Sequence, residues 1–144
     1  MIARTILCLA GLLTAYNVAS ATTRAPVPGA VDPAVTQATV RQTVCRLGYT
    51  FTVRPPREWS HEIKARYLAE QHLPGRVQDY ELDHLIPLNL GGAPQDIRNV
   101  WMQRWDEAKV KDDEELALYY AVCAGRMTLD EARRQILDRW GPKP

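Results

Sequence analysis

The pattern of apolar and polar residues predicts a strand and then a helix in the first half of the chain. Residues 44–53 have the β-branched and aromatic content of a strand, which Pro55 would end. Ser60 is a favourable N-cap for a helix that runs to about His72 and carries its apolar residues on one face. Pro74 lies just beyond this helix and prevents its continuation.

The centre of the chain predicts two short strands and a loop, followed by a long helix. Residues 80–86 are predicted as a short strand and residues 97–102 as a second strand or an extended turn, and residues 87–94 between them contain the proline and glycines of a loop. A helix is expected over residues 105–123, since Gly125 stops it.

The last helix has a clear beginning and end. Thr128 and Glu131 fit a capping box, and apolar residues recur every four positions from Ala132 to Trp140. The predicted fold class is therefore α+β, a single domain dominated by helix, in which a short β-hairpin lies among additional helices.

The N-terminal residues indicate export. Arg4 precedes a short apolar run, and Ala19-Ser20-Ala21 supplies the small-residue cleavage pattern of a secretory signal peptide. The run is too short for a good membrane span. We therefore expect a signal peptide at residues 1–21, a flexible leader at residues 22–43, a domain at residues 44–141, a secreted or periplasmic location and no membrane span after cleavage.

Cysteine usage agrees with an oxidising compartment. Cleavage removes Cys8 and leaves Cys45 and Cys123, an even pair for which one disulfide is the natural interpretation. Two unrelated buried thiols are the alternative.

The net charge of the chain does not indicate a polyanionic partner, but the distribution of charged residues along it is compatible with one. Without Arg4 the chain is formally neutral, whereas residues 41–76 hold seven arginines and lysines against three glutamates. This excess could face a phosphate backbone or be an ordinary solvated surface.

The most informative residues lie at the end of the first central strand. Asp83 and His84 precede the Pro/Gly-Gly loop, and Asn99 follows it. A neutral imidazole, with an ordinary pKa of about 6.5, can deprotonate a water. A divalent ion held by carboxylates can stabilise charge on a phosphate and its leaving group. Each residue alone also has a structural explanation, as a core histidine, a cap and a turn residue.

These residues resemble a known family. Glu81-Leu82-Asp83-His84-Leu85-Ile86-Pro87, the Gly-Gly loop and Asn99-Val100-Trp101 are similar to the HNH endonucleases of the ββα-metal (His-Me finger) superfamily. Residues 44–140 as a whole resemble small secreted bacterial HNH-like proteins. The resemblance implies a ββα-metal finger, with His84 as general base and Asp83 as a metal ligand. It implies that Asn99 either braces the loop and orients His84 or, as in some branches of the superfamily, binds the metal itself.

The chain departs from the family pattern on the helix. Many HNH nucleases place a histidine there, but no histidine follows His84 in this sequence. Ala108, Asp112 and Glu115 share a helix face, and Asp112 is our prediction for the second ligand. Two carboxylates favour Mg²⁺ or Mn²⁺ over Zn²⁺. A solvated Asp112 that pairs with Lys109 or Lys111 is the alternative.

The sequence therefore predicts a secreted or periplasmic endonuclease that cuts DNA with little sequence specificity. Arg98, Arg104 and Lys111 are candidate phosphate ligands. Most of the four tryptophans, Trp59, Trp101, Trp105 and Trp140, are interpreted as core anchors rather than as base-stacking platforms. The competing hypothesis is a catalytically degenerate binding module of the cell envelope that kept the scaffold. Oligomeric state is left open.

Overall fold

The computed structural model describes residues 29–142, so the predicted signal peptide lies outside the described residues. The described part is α+β, as predicted, with four helices and one two-stranded antiparallel sheet. In chain order the elements are α1 (Tyr49–Val53), α2 (Arg57–Gln71), β1 (Tyr80–His84), β2 (Val100–Arg104), α3 (Trp105–Cys123) and α4 (Leu129–Trp140).

The two strands form a hairpin that leads directly into α3. Glu81 lies opposite Gln103, and Asp83 lies opposite Trp101. The second strand begins later than predicted because residues 97–99 form a 3-10 turn first, which the Asp96 side chain caps by accepting from the Arg98 amide at 2.9 Å. The Asp96 side chain thereby holds the end of the loop that leads into β2.

The strand predicted over residues 44–53 is wrong. The chain runs through successive turns to Gly48, which adopts a left-handed conformation (φ 80°), and α1 follows. Val44 and Tyr49 are buried in the main core rather than paired in a sheet. The β-branched and aromatic composition therefore did not indicate a strand here, since contacts with other elements bury Val44 and Tyr49 while Phe51 stays exposed.

Helix α2 also begins earlier than predicted. It starts at Arg57, directly after Pro56, and Ser60 lies within its first turns instead of capping it. The helix ends at Gln71, and His72 adopts a left-handed conformation (φ 47°) at its C-cap. Both α2 and α3 pack against the hairpin.

The two C-terminal helices have the predicted bounds. Helix α3 covers residues 105–123, and Thr128 and Glu131 form the predicted capping box, with the Thr128 amide donating to Glu131 Oε2 at 2.8 Å. Arg133 of α4 donates to the backbone carbonyls of Leu90 and Val35 at 2.9 and 3.0 Å. Helix α4 is thus joined both to the hairpin loop and to the N-terminal segment.

Residues 29–43, which the sequence assigns to a leader, take part in the folded core. Val35 and Val40 are buried in it, and the Asp32 amide donates to the Gly91 carbonyl at 2.9 Å. The predicted disulfide between Cys45 and Cys123 is confirmed and joins positions 78 residues apart. The main core comprises Val35, Val40, Val44, Tyr49, Ile86, Leu90, Leu118, Val122, Leu129, Ala132 and Ile136.

Over residues 29–142, none of the helices has the length and apolar character needed to cross a membrane.

Candidate functional site

A cavity of about 950 Å³ contains the Asp-His pair. Strand β1 and helix α3 contribute four carboxylates to its lining, which we call the carboxylate wall: Glu81, Asp83, Asp112 and Glu115. The segment from the turn before α1 to the start of α2 contributes three arginines, which we call the arginine wall: Arg46, Arg54 and Arg57. His84 lines the same cavity, so it faces both kinds of charge.

His84 is held in a defined tautomer. Its Nε2 lies 2.9 Å from the carbonyl oxygen of Pro94. Because a carbonyl only accepts hydrogen bonds, Nε2 carries the proton and Nδ1 keeps its lone pair. Burial lowers the pKa of His84, an effect that the Pro94 hydrogen bond and Asp83 oppose only in part. The imidazole is therefore neutral at neutral pH, with Nδ1 able to accept a proton.

Asn99 holds the loop that contains Pro94. It is fully buried, accepts from the Ile86 amide at 2.9 Å, and donates to the carbonyls of Ile86 and Ala93 at 2.9 and 3.2 Å. A side chain at Gly92 would collide with the Ile86 carbonyl and the Asn99 amide. The Gly-Gly sequence therefore allows Asn99 to brace the loop and so to fix the carbonyl that orients His84.

Asp83 is hydrogen-bonded to a buried lysine. Lys111 is 1% exposed, and its ammonium lies 2.8 Å from Asp83 Oδ2, 2.8 Å from the His84 carbonyl oxygen and in close contact with Glu115. Trp101 Nε1 also donates to Asp83 Oδ2, at 3.3 Å. Within residues 29–142, Asp83 Oδ1 accepts no hydrogen bond, so this oxygen remains able to bind a cation.

The carboxylate wall is only partly neutralised by Lys111. Burial raises the pKa of Glu115 to about 7 although Lys111 opposes the shift, and burial followed by Asp83 and Asp112 raises the pKa of Glu81 to about 7. Burial and Asp83 also raise the pKa of Asp112. Burial lowers the pKa of Lys111, but Asp83 and Glu115 outweigh it and the net shift is upward. The wall therefore has excess negative charge that a further cation would relieve.

The structure brings Asp112 into the cavity but not onto the buried face of α3. That face consists of Ala108, Lys111, Leu118 and Val122, with Glu115 largely buried in the same stripe, whereas Asp112 is exposed beside it. Among the described residues no group of three or more His, Cys, Asp or Glu side chains is arranged to hold a metal ion. Asp83 and Asp112 together are a donor set of two carboxylates.

Arg98 and Arg104 lie outside the cavity lining. Arg98 forms a two-pronged contact with Asp96, and Arg104 donates to Asp106 Oδ1 at 3.0 Å and lies over the Tyr80 ring. Lys111 is enclosed by oxygen atoms of the protein itself. The structure therefore places none of these three cations where it could meet a phosphate held beside His84.

The arginine wall occupies that place instead. Arg46, Arg54 and Arg57 are exposed and form no ion pair within residues 29–142. Arg54 lies near enough to His84 to contribute to lowering its pKa. The sequence did contain an indication of this wall, since these three residues belong to the local basic excess over residues 41–76.

Three further residues beside the site were missed or misread. His61 lines the cavity, although its sequence spacing gives no indication of a site. Trp105, interpreted as core, is 54% exposed and lines the cavity too. Gln103 is buried opposite Glu81, and neither polar atom of its amide has a hydrogen-bond partner in the described part of the chain.

No protein-family model, curated protein or solved structure matches this chain.

Proposed function

We propose that this protein is a metal-dependent endonuclease of the HNH type that hydrolyses DNA phosphodiester bonds with little sequence specificity. The observation that carries the proposal is the state of His84. It is a neutral imidazole whose Nε2 donates to the Pro94 carbonyl and whose Nδ1 can accept a proton, in a cavity lined by both carboxylates and arginines. Such a cavity suits a phosphodiester, which is anionic and needs an activated water.

His84 acts as the general base in this proposal. Its Nδ1 removes a proton from water as the oxygen attacks phosphorus, and the Nε2 hydrogen bond keeps the ring oriented and favours the imidazolium that forms. Asn99 does not meet the substrate and acts through the loop that it braces. Asn99 is therefore a positioning residue.

The donor set fits a hard cation that keeps most of its waters. Mg²⁺ is commonly bound by one or two carboxylates together with substrate phosphate, which is what Asp83 Oδ1 and the exposed Asp112 provide. When bound, such an ion stabilises charge on the phosphate and on the leaving 3′ oxygen. Mn²⁺ has the same ligand preference.

Phosphate binding is assigned to the arginine wall rather than to the arginines predicted from sequence. Arg54 and Arg57 are exposed at the cavity and can each contact phosphate oxygens in a bidentate way. Contacts to the backbone carry no sequence information, which supports low sequence specificity.

The surrounding fold supports the same proposal. A hairpin that runs directly into a helix, with the Asp-His pair at the end of its first strand, is compatible with the ββα-metal finger that we propose for this site. The Cys45–Cys123 disulfide is compatible with an oxidising location outside the cytoplasm. We therefore propose that the protein acts as a nuclease in the periplasm or after secretion.

Cleavage of supercoiled plasmid DNA tests the function and the second ligand together. We expect nicking with Mg²⁺ or Mn²⁺ and none with a chelator. Asp112→Asn should raise the metal concentration for half-maximal nicking by about tenfold or more, because loss of even an outer-shell partner costs about 10- to 100-fold in metal affinity or activity.

Asp113→Asn is the matched control, since Asp113 is the exposed neighbour that does not line the cavity. It should titrate with metal as the wild type does. Absence of nicking by the wild type with either metal would overturn the nuclease proposal. Equal metal titrations for Asp112→Asn and Asp113→Asn would overturn only the assignment of Asp112.

The pH dependence of cleavage reports the state of His84. Because burial lowers the pKa of His84, kcat/KM should rise with pH and level off at an apparent pKa below about 6.5. Glu81 and Glu115 both have a pKa of about 7 in the same cavity, so the profile is also recorded for the Glu81→Gln/Glu115→Gln double variant, which removes both steps. An acid limb centred above pH 7 in this double variant would contradict a neutral, buried base.

A second candidate function is favoured by the position of Lys111. Its ammonium already contacts Asp83 and Glu115, which would suit a binding module of the cell envelope that kept the scaffold without binding metal. This candidate predicts DNA binding that a chelator does not weaken, together with no nicking at any metal concentration.

A further inference from the structure

The only phenylalanine of the chain lies on the surface beside the cavity. Phe51 of α1 is 84% exposed, and Leu47, just before α1, is 99% exposed. Both line the cavity. Large apolar side chains clustered at one edge of a site indicate a surface that binds a partner, whereas isolated ones need no explanation.

Positive charge surrounds this apolar patch. Arg54 follows Phe51 by three residues, and Arg46 and Arg57 lie on either side of the two along the chain. All three arginines line the cavity without an ion pair in residues 29–142. An aromatic ring among uncompensated arginines is complementary to a base with its phosphates, because the ring offers a stacking surface and the arginines offer charge.

We propose that Phe51 and the arginine wall bind single-stranded DNA, with one base stacked on Phe51 and the flanking phosphates on Arg54 and Arg57. The proposal rests on the proposed function and adds the form of the substrate. The strand then enters the cavity from the arginine side and presents its backbone to His84.

A single strand fits this arrangement better than a duplex. A base in a duplex has both faces covered by its neighbours, so a surface aromatic can stack only on a base that has left the stack. Trp105 at the beginning of α3 is half exposed and lines the same cavity, which supplies a second stacking surface from the carboxylate side.

Fluorescence anisotropy with a short labelled single strand, and with the duplex of the same sequence, tests the proposal. The full chain carries His84→Gln, so that DNA is not cut during the measurement, and Mg²⁺ is present. We expect Phe51→Ala to weaken binding of the single strand about tenfold and to leave the duplex unchanged. Phe51→Trp should restore binding.

Two controls separate stacking and charge from general surface effects. Tyr120 is an exposed aromatic that does not line the cavity, and Tyr120→Ala should bind as the parent protein does. Arg54→Ala should weaken both forms of DNA and reduce the salt dependence of binding, whereas Arg126→Ala, at an exposed position away from the cavity, should not.

Three results would overturn the proposal. The first is that Phe51→Ala leaves single-strand binding unchanged, and the second is that Phe51→Ala weakens duplex binding more than single-strand binding. The third is that the protein is a dimer which Phe51→Ala converts to a monomer, because Phe51 would then contact a second copy. If the wild type binds single strands through Phe51 but cuts no DNA, the nuclease proposal fails and this one stands. If it cuts both forms equally well with and without Phe51, only this proposal fails.

Discussion

Replacement of His84 by glutamine is expected to lower the rate of DNA cleavage by about 10²- to 10⁴-fold, the usual contribution of a positioned general base. The glutamine side-chain amide can still donate to the Pro94 carbonyl, which now receives the Nε2 hydrogen bond, but it has no basic nitrogen. The substitution therefore removes the proposed chemistry while keeping a donor for the loop. The measurement is single-turnover cleavage of plasmid DNA at saturating Mg²⁺.

The thermal unfolding midpoint provides the control for this variant. It should remain close to that of the wild type, because the loop is held chiefly by the three hydrogen bonds of Asn99 and not by His84 alone. A folded His84→Gln protein that cuts DNA at the wild-type rate would show that another group activates the water.

Replacement of Lys111 by methionine is expected to cost about 3–5 kcal/mol of folding stability at neutral or higher pH, the range for removing one member of a buried ion pair. Methionine fills much of the same volume, but Asp83 and Glu115 lose their shared cation and the His84 carbonyl loses a donor. In a domain of this size, such a loss lowers the unfolding midpoint by about 10–20 °C. Thermal and urea unfolding measure it.

The loss of folding stability in Lys111→Met should depend on pH, and the raised pKa of Glu115 determines the direction of this dependence. Glu115 already has a pKa of about 7, and loss of Lys111, which lowers that pKa, raises it further. A raised carboxyl pKa in the folded state means that stability is retained at low pH and lost as the pH rises through that value. Lys111→Met should therefore be less destabilising near about pH 5 than near about pH 8. A cost independent of pH would contradict an ammonium that neutralises these carboxylates.

Lys109→Met is the matched control for the lysine variant. Lys109 lies on the exposed side of α3 two residues before Lys111, so the substitution changes the same charge without removing a buried ion pair. Its effect on stability should stay within about 0.5 kcal/mol.

Local sequence patterns predicted the elements whose beginning and end are set by nearby residues. The bounds of α3 agree with its glycine stop, and α4 begins with the capping box that its sequence contains. The Cys45–Cys123 pair followed from counting cysteines. Predictions failed where contacts with distant parts of the chain decide the structure. In residues 44–53, Val44 and Tyr49 are buried against other elements instead of pairing in a sheet, whereas Phe51 is exposed.

The sequence predicted which residues meet around the loop between the strands, but not the other residues that surround the site. Asp83, His84 and Asn99 lie around one loop, as their order along the chain indicated. The inward position of Lys111 was missed because lysine is rarely buried, although it follows Ala108 by three residues and precedes Leu118 by seven in the apolar stripe of α3. The arginine wall depends on how the turn before α1 folds against the hairpin, which no short sequence pattern specifies.

The buried position of Lys111 bears on how this protein matures after synthesis. Small domains built around a structural metal are often unfolded until the ion arrives, so their folding depends on metal supply. Here Asp83, one of the two proposed metal ligands, already has a cation from its own chain in Lys111, and the Cys45–Cys123 disulfide cross-links the domain. The polypeptide is therefore expected to reach its native structure, and to keep it in the presence of a chelator, before it acquires any ion.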